Sequence, residues 1–277
     1  MAGGVPRAKV IMPTMNKVFK GRGDRFIPSE VFWKSSMGKL CEMNFVEVTA
    51  ETLRTLINET EDIRKDYEGN GNTVSYVAYG YHGTEVLVNT EYQWQTYTPY
   101  VQGWAKVELE NIAKDFFSKQ VKVCVFNCPE ILTNSSSIFQ GLEVSLYPLL
   151  GALEKEGADS DRVKEILQDC LSKLNEDKSL NDIMKYTAEY IQSSEIMAHS
   201  KYEQWPQHNS KEQMEKMISS SQEIISWHKD AKDLCNMILS EEVFKSCGDI
   251  MFKESGHPKS AVQWIGHDII AKQIAAN

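Results

Sequence analysis

Cys124 and Cys128 are the pair of potential ligands whose spacing comes closest to a purpose. On an extended strand a four-residue offset puts both thiols on one face. Three residues intervene, however, where a zinc knuckle has two, and no second Cys or His pair stands at ligand spacing. Both therefore read as buried structural thiols. The six histidines, at 82, 199, 208, 228, 257 and 267, are scattered. None forms the i, i+4 pair with an intervening Glu that a helical zinc protease uses. His228 falls on the apolar stripe of its helix and reads as a core histidine. No serine lies in a nucleophile elbow, and no glycine-rich phosphate loop is present. No catalytic or metal-ligating set emerges, and no cofactor-binding residue can be placed.

The aromatics are more concentrated. Tyr76, Tyr79, Tyr81, Tyr92, Trp94, Tyr97, Tyr100 and Trp104 crowd one short stretch. Tyr and Trp offer large, stiff contact area at low entropic cost, so they suit a sandwich core, a contact surface, or both. They sit on a predicted β-hairpin over 73–89, where apolar and polar residues alternate and His82-Gly83 reverses the chain. Such a hairpin carries no acid, base or nucleophile at a useful spacing, and points to a protein that builds rather than catalyses.

Around it, Thr49 is a plausible N-cap for a helix carrying Leu53, Leu56, Ile57 and Ile63, which the Gly69–Asn72 turn ends. Residues 105–118 read as a helix, and VKVCVFN at 121–127 as a strand suited to a sheet centre. The second half is helical. Apolar residues recur at helical spacing from Val163 to Leu174, Ser179 with Asp182 opens a further helix, and Ser210 with Gln213 forms a capping box. Residues 260–276 read as a last helix bearing Ala261, Trp264 and Ile265.

The expected fold is α+β: an antiparallel β-sandwich core with peripheral helices, an N-terminal arm or helix, and a helix-rich C-terminal half. The expected organisation is a single domain over 1–277. Within it lie an arm (1–48), a β-rich core with helices (49–150), a helical insertion (151–240) and C-terminal helices (241–277).

With 277 residues, the chain can bury a core without disulfides or metals. A formal charge of −9 argues against a dedicated nucleic-acid coat, although Lys9, Lys17, Lys20, Arg22 and Arg25 make the N-terminal stretch cationic. No apolar run reaches membrane-spanning length and the N-terminus lacks a secretory signal core, which together predict a cytosolic protein with reduced cysteines.

Three passages carry a family resemblance: FKGRGDRFIPSE at 19–30, the Tyr-rich hairpin at 73–89 with its following helix, and EVFKSCGD at 242–249. Together they resemble a divergent type of cypovirus polyhedrin, the matrix protein of viral occlusion bodies. The resemblance implies trimers that self-assemble into crystals in the host cell cytoplasm and encase virions. Its partners would be further copies of itself and virions, with no membrane or nucleic-acid role and no required cofactor, though nucleotide triphosphates bind to some members. Lys17, Lys20, Arg22 and Arg25 would make lattice contacts. Titration of Tyr76, Tyr79, Tyr81, Tyr92, Tyr97 and Tyr100 would dissolve the crystal at alkaline pH in the insect gut. Two other readings compete: a viral nucleoprotein or capsid-type RNA-binding protein, and a cytosolic enzyme using Cys124 or His228.

Overall fold

A computed structural model describes residues 18–19, 29–97, 101–132, 139–200 and 210–276. Its organising element is β5 (Val123–Asn127), in which all five residues are buried. A strand apolar on both faces needs cover on both, which is the usual state of a central parallel strand. It pairs in parallel with β2 (Tyr76–Gly80) on one side and β7 (Val262–Trp264) on the other, giving the order β2-β5-β7. Separate antiparallel pairs are formed by β3 (Gly83–Val88) with β4 (Glu91–Thr96), and by β1 (Val18–Phe19) with β6 (Phe139–Gln140).

The antiparallel sandwich is thus overturned, and the predicted 73–89 hairpin with it. Val74 to Gly80 and Thr84 to Val88 do not pair with each other. At Tyr81-His82 the chain leaves the parallel sheet and enters the β3–β4 pair, which closes through Asn89, a non-glycine residue with φ of 57°. The physical reason is competition. The alternating segment gains more by covering one edge of the wholly buried β5 than by folding back on its neighbour. The predicted C-terminal helix is split for the same reason, since Val262–Trp264 pairs with β5 before α12 (His267–Ala275) begins.

Helices cover both faces of the parallel sheet. On one face Tyr76, Val123 and Val125 pack with Leu53 and Ile57 of α3 (Thr52–Glu59) and with Leu109 and Ile112 of α5 (Val101–Ser118). Ahead of α3 come α1 (Ser29–Lys34), α2 (Ser36–Val46) and a π-helical turn (Glu47–Glu51); α4 (Glu61–Gly69) follows it. On the other face Cys124 and Phe126 join the largest core. Its walls come from α6 (Pro148–Gly157), α7 (Asp161–Ser172), α8 (Leu180–Gln192), α10 (Lys211–Ser226), α11 (Cys235–Ser255) and α12, with α9 (Ser194–Ser200) between α8 and α10. These helices are not an addition to a β core, because Leu149, Leu150, Leu153, Ile166, Ile183 and Leu239 are the core.

Local signals set the helix starts. Ser179 and Asp182 form a complete capping box at α8, and the Ser210 hydroxyl accepts from the Gln213 amide at 3.0 Å at α10. Among the described residues no helix is long and apolar enough to cross a membrane.

A candidate active site at the carboxyl ends of the parallel strands

In sheets of this kind, ligands bind beyond the carboxyl ends of the strands. There β2 ends at Gly80 and continues into Tyr81 and His82, β5 ends at Asn127 and leads to Cys128 and Glu130, and β7 ends at Trp264. Asn127 is fully buried and ties the three strand ends together. Its Oδ1 accepts from the His82 amide at 2.9 Å, its Nδ2 donates to Glu110 Oε1 at 2.7 Å, and its carbonyl accepts from the Ile265 amide at 2.8 Å. Gly80 makes this approach possible, because a Cβ there would lie 2.2 Å from Asn127 Oδ1.

Glu110 lies on the buried side of α5 with 1% of its side chain exposed. A buried carboxylate is costly unless paired. Here it also meets His82 Nδ1 at 2.9 Å and, more loosely, Lys114 Nζ at 3.6 Å. The His82 ring stands edge to face with Trp94 at 5.8 Å and Trp264 at 5.1 Å, so one element of each sheet holds it.

Two phenols lie beside this network. Tyr81 stacks on Tyr97 with ring centroids 4.5 Å apart, and its hydroxyl donates to the Glu130 carboxylate. The Tyr97 amide donates to the His82 carbonyl at 2.7 Å. Lys106, one turn before Glu110, places Nζ 2.5 Å from the Tyr79 carbonyl at the end of β2. Burial pushes its pKa down to about 8. A cation whose pKa lies close to neutrality can polarise a carbonyl oxygen and supply a proton, as can a phenol.

The tyrosines expected to titrate together occupy different settings. Tyr76 is buried, its hydroxyl 2.7 Å from Thr60 Oγ1, while Tyr92 donates to Glu156 at 2.9 Å and its pKa is raised by burial and by that carboxylate. Burial, with Cys128 and Cys247 close by, pushes Tyr79 well up. Only Tyr79, Tyr81 and Tyr97 approach the strand ends. Lys17, Lys20, Arg22, Arg25 and Tyr100 lie outside the described residues. Cys124 faces the main core, and His228 is buried, with Nδ1 2.8 Å from the Ile224 carbonyl and Nε2 3.2 Å from Cys235 Sγ. Among the described residues no three His, Cys, Asp or Glu side chains gather as a metal site would require.

Sequence reading missed Lys106, Glu110 and Asn127, and took His82 for a turn residue. One signal was present. Glu110 stands among the apolar positions of its helix, between Leu109 and Ile112, where a charge calls for a partner.

A family model described as "Enoyl-acyl carrier protein reductase FabMG" matches residues 1–274. Among solved structures, an apo form of FabMG, described as one of the novel types of enoyl-acyl carrier protein reductase, is 44% identical with a TM-score of 0.92. The match covers 100% of this chain and 62% of that one. An NADH-bound FabMG structure is 43% identical with a TM-score of 0.82, covering 100% of this chain and 67% of its own. No match was found among curated proteins.

These matches overturn the polyhedrin resemblance and what it implied. That covers the occlusion-body matrix with its trimers and crystals, virions as partners, a place in occlusion bodies of the host cytoplasm, and alkaline release. The nucleoprotein alternative goes too, as do the expectations of a non-enzyme and of no required cofactor beyond a possible nucleotide triphosphate. The resemblance rested on a hairpin that does not form and on the aromatic content of segments that serve a different fold.

Proposed function

Because the chain belongs to the FabMG family of enoyl-acyl carrier protein reductases, we propose that it takes part in the NADH-dependent reduction of an enoyl thioester on acyl carrier protein. The chain spans 62% of the apo FabMG structure's length, so the activity is read here as a role for its site and not as the work of these residues alone.

The site suits one end of that chemistry. NADH, when bound, supplies the hydride that saturates the double bond. Negative charge then gathers on the thioester oxygen, and a proton must reach the α-carbon. With the Tyr81 hydroxyl committed to Glu130, the Tyr97 hydroxyl is the donor this chain offers to that oxygen, with the Lys106 ammonium as the cation that stabilises it. Glu110 and Asn127 hold the loop carrying Tyr81 and His82 against the end of β5, and so keep the donors in place. Trp94 and Trp264 stand edge to face at 5.0 Å and give the site an apolar wall.

The dinucleotide's diphosphate fits less well. β2 leads into the β3–β4 pair and β5 into Cys128-Pro129-Glu130, neither of which is a glycine-rich turn opening a helix. β7 does lead through Gly266 into α12. There a Cβ on Gly266 would meet Asp268 Oδ1 at 2.8 Å, so an acid occupies the position where an anion would need donors.

The observation that carries the reading is that the stacked Tyr81 and Tyr97 rings and Lys106, which is held on the Tyr79 carbonyl, all lie at the end of β2. Conversion of crotonyl-acyl carrier protein to the saturated thioester tests it, followed by NADH absorbance and mass spectrometry. The assay is run with residues 1–277 alone and with the polypeptide that FabMG carries beyond the matched stretch. Saturated product is expected in at least one arm. Lys106→Met and Tyr97→Phe should each lower kcat by about 10²-fold with little change in KM. No product in either arm, or unchanged kcat in both variants, would end the reading.

A further inference from the structure

Away from the strand ends, one buried cluster joins two thiols to an imidazole. All six cysteines are free and buried. Cys170 lies in the last turn of α7, and Cys235 is the first residue of α11. The segments that follow α7 and α10 bring them together, where Leu174 and His228 form an antiparallel bridge. The Lys229 amide donates to the Lys173 carbonyl and the Asn175 amide to the Trp227 carbonyl, each at 2.9 Å. Cys235 Sγ then stands 3.1 Å from the Cys170 carbonyl, and the two thiols hydrogen-bond to each other.

The tautomer of His228 follows from its partners. Nδ1 lies 2.8 Å from the Ile224 carbonyl, which can only accept, so Nδ1 carries the proton. Nε2 then presents its lone pair to the Cys235 amide and the Cys235 sulfur, each at 3.2 Å. That is a base positioned on a thiol. The thiol also opens a helix of 21 residues, whose N-terminal end favours negative charge. The bonds from Cys170 and to His228 hold the Cys235 pKa down to about 6 against its burial, whereas Cys170 is pushed up. An activated thiol with a second thiol in contact is the arrangement of a peroxide-reactive pair. The way in is short. Lys229 to Asp233, which connect His228 to Leu234, are all exposed, so a local opening of this loop uncovers the sulfur.

We propose that Cys235 is an oxidative modification site, which hydrogen peroxide oxidises and Cys170 resolves as a disulfide between α7 and α11. The Cys235 proton passes to His228 Nε2, and the thiolate attacks one peroxide oxygen. The S–O bond forms as the O–O bond breaks, and the departing hydroxide takes the imidazolium proton to become water. The Cys170 sulfur then attacks the Cys235 sulfur. The S–S bond forms, the S–O bond breaks, and hydroxide leaves with the Cys170 proton as a second water. The thiol pair loses two electrons and two protons, which reduce one peroxide to two waters. The disulfide would tie together residues 65 apart in sequence and fix the start of α11 against the end of α7. Neither NADH nor the enoyl-reductase reading enters this step.

The test exposes residues 1–277 to equimolar hydrogen peroxide under native conditions and maps the cysteines by differential alkylation and peptide mass spectrometry. A Cys170–Cys235 cross-linked peptide should appear while the other four thiols stay reduced. Cys128 and Cys247 are the internal reference, because they also touch, yet that contact and burial push Cys247 up. Cys170→Ser should stop the reaction at a sulfenic acid on Cys235, trapped by dimedone. His228→Asn, its fold checked by circular dichroism, should slow oxidation at least about tenfold. If that variant unfolds, the Cys170→Ser trapping decides. No oxidation, equal oxidation of all six cysteines, a sulfenic acid elsewhere in Cys170→Ser, or an unchanged rate in folded His228→Asn would overturn the proposal.

Discussion

Lys106 shows how much of a site can depend on one pKa. Burial lowers it to about 8, so the ammonium persists below that pH and is lost as pH rises through it. If the cation stabilises charge on the thioester oxygen, kcat should be level near pH 7 and fall up to tenfold per unit above about pH 8. Lys106→Arg, which stays charged, should move that decline to higher pH whatever it does to the plateau. A pH–rate profile with the same descending limb in both proteins would assign the titration to another group. Glu110 teaches the complementary lesson. It is a buried charge whose use is to hold His82 and Asn127 rather than to react, and its partners lie 28 and 17 residues away in sequence.

Among the elements, β2 decides most. It supplies the edge of the sheet, the carbonyl that receives Lys106, and the turn into Tyr81 and His82. Its last residue is a glycine because the Asn127 side chain occupies the space a Cβ would need. Gly80→Ala should therefore cost about 1–3 kcal/mol of overpacking. It should also separate the His82 loop from Asn127. Denaturant unfolding checks the first expectation, and a weakened tryptophan near-ultraviolet signal in the folded protein checks the second. A neutral substitution would mean that the Asn127 side chain does not fill the space beside Gly80. The hairpin misreading is instructive here as well. Alternation around His82-Gly83 correctly marked two strands, yet not their partners, because period-two patterning says which face is buried and not against what.

At the scale of the whole molecule, the main core joins β3 and β5 to six helices, so the site's floor and the helical half share one set of buried side chains. Leu150, fully buried in α6, is central to it. Leu150→Ala should cost about 2–5 kcal/mol. The tryptophan signal of the site and the far-ultraviolet helix signal should then be lost together on heating, whereas separate transitions would show that the two regions fold independently.

The sequence by itself determined the starts of α8 and α10 and the strand at 121–127. Ser179, Ser210 and the apolar run at 121–127 act through their immediate neighbours, and their signals are complete within a few residues. Only the tertiary structure decided that the sheet is parallel, that residues 73–89 divide between two sheets, and that His82, Lys106, Glu110 and Asn127 meet. Strand pairing is settled by the total burial each partner offers, a comparison across distant parts of the chain. A polar site built from residues drawn together by that choice leaves little periodic trace of its own.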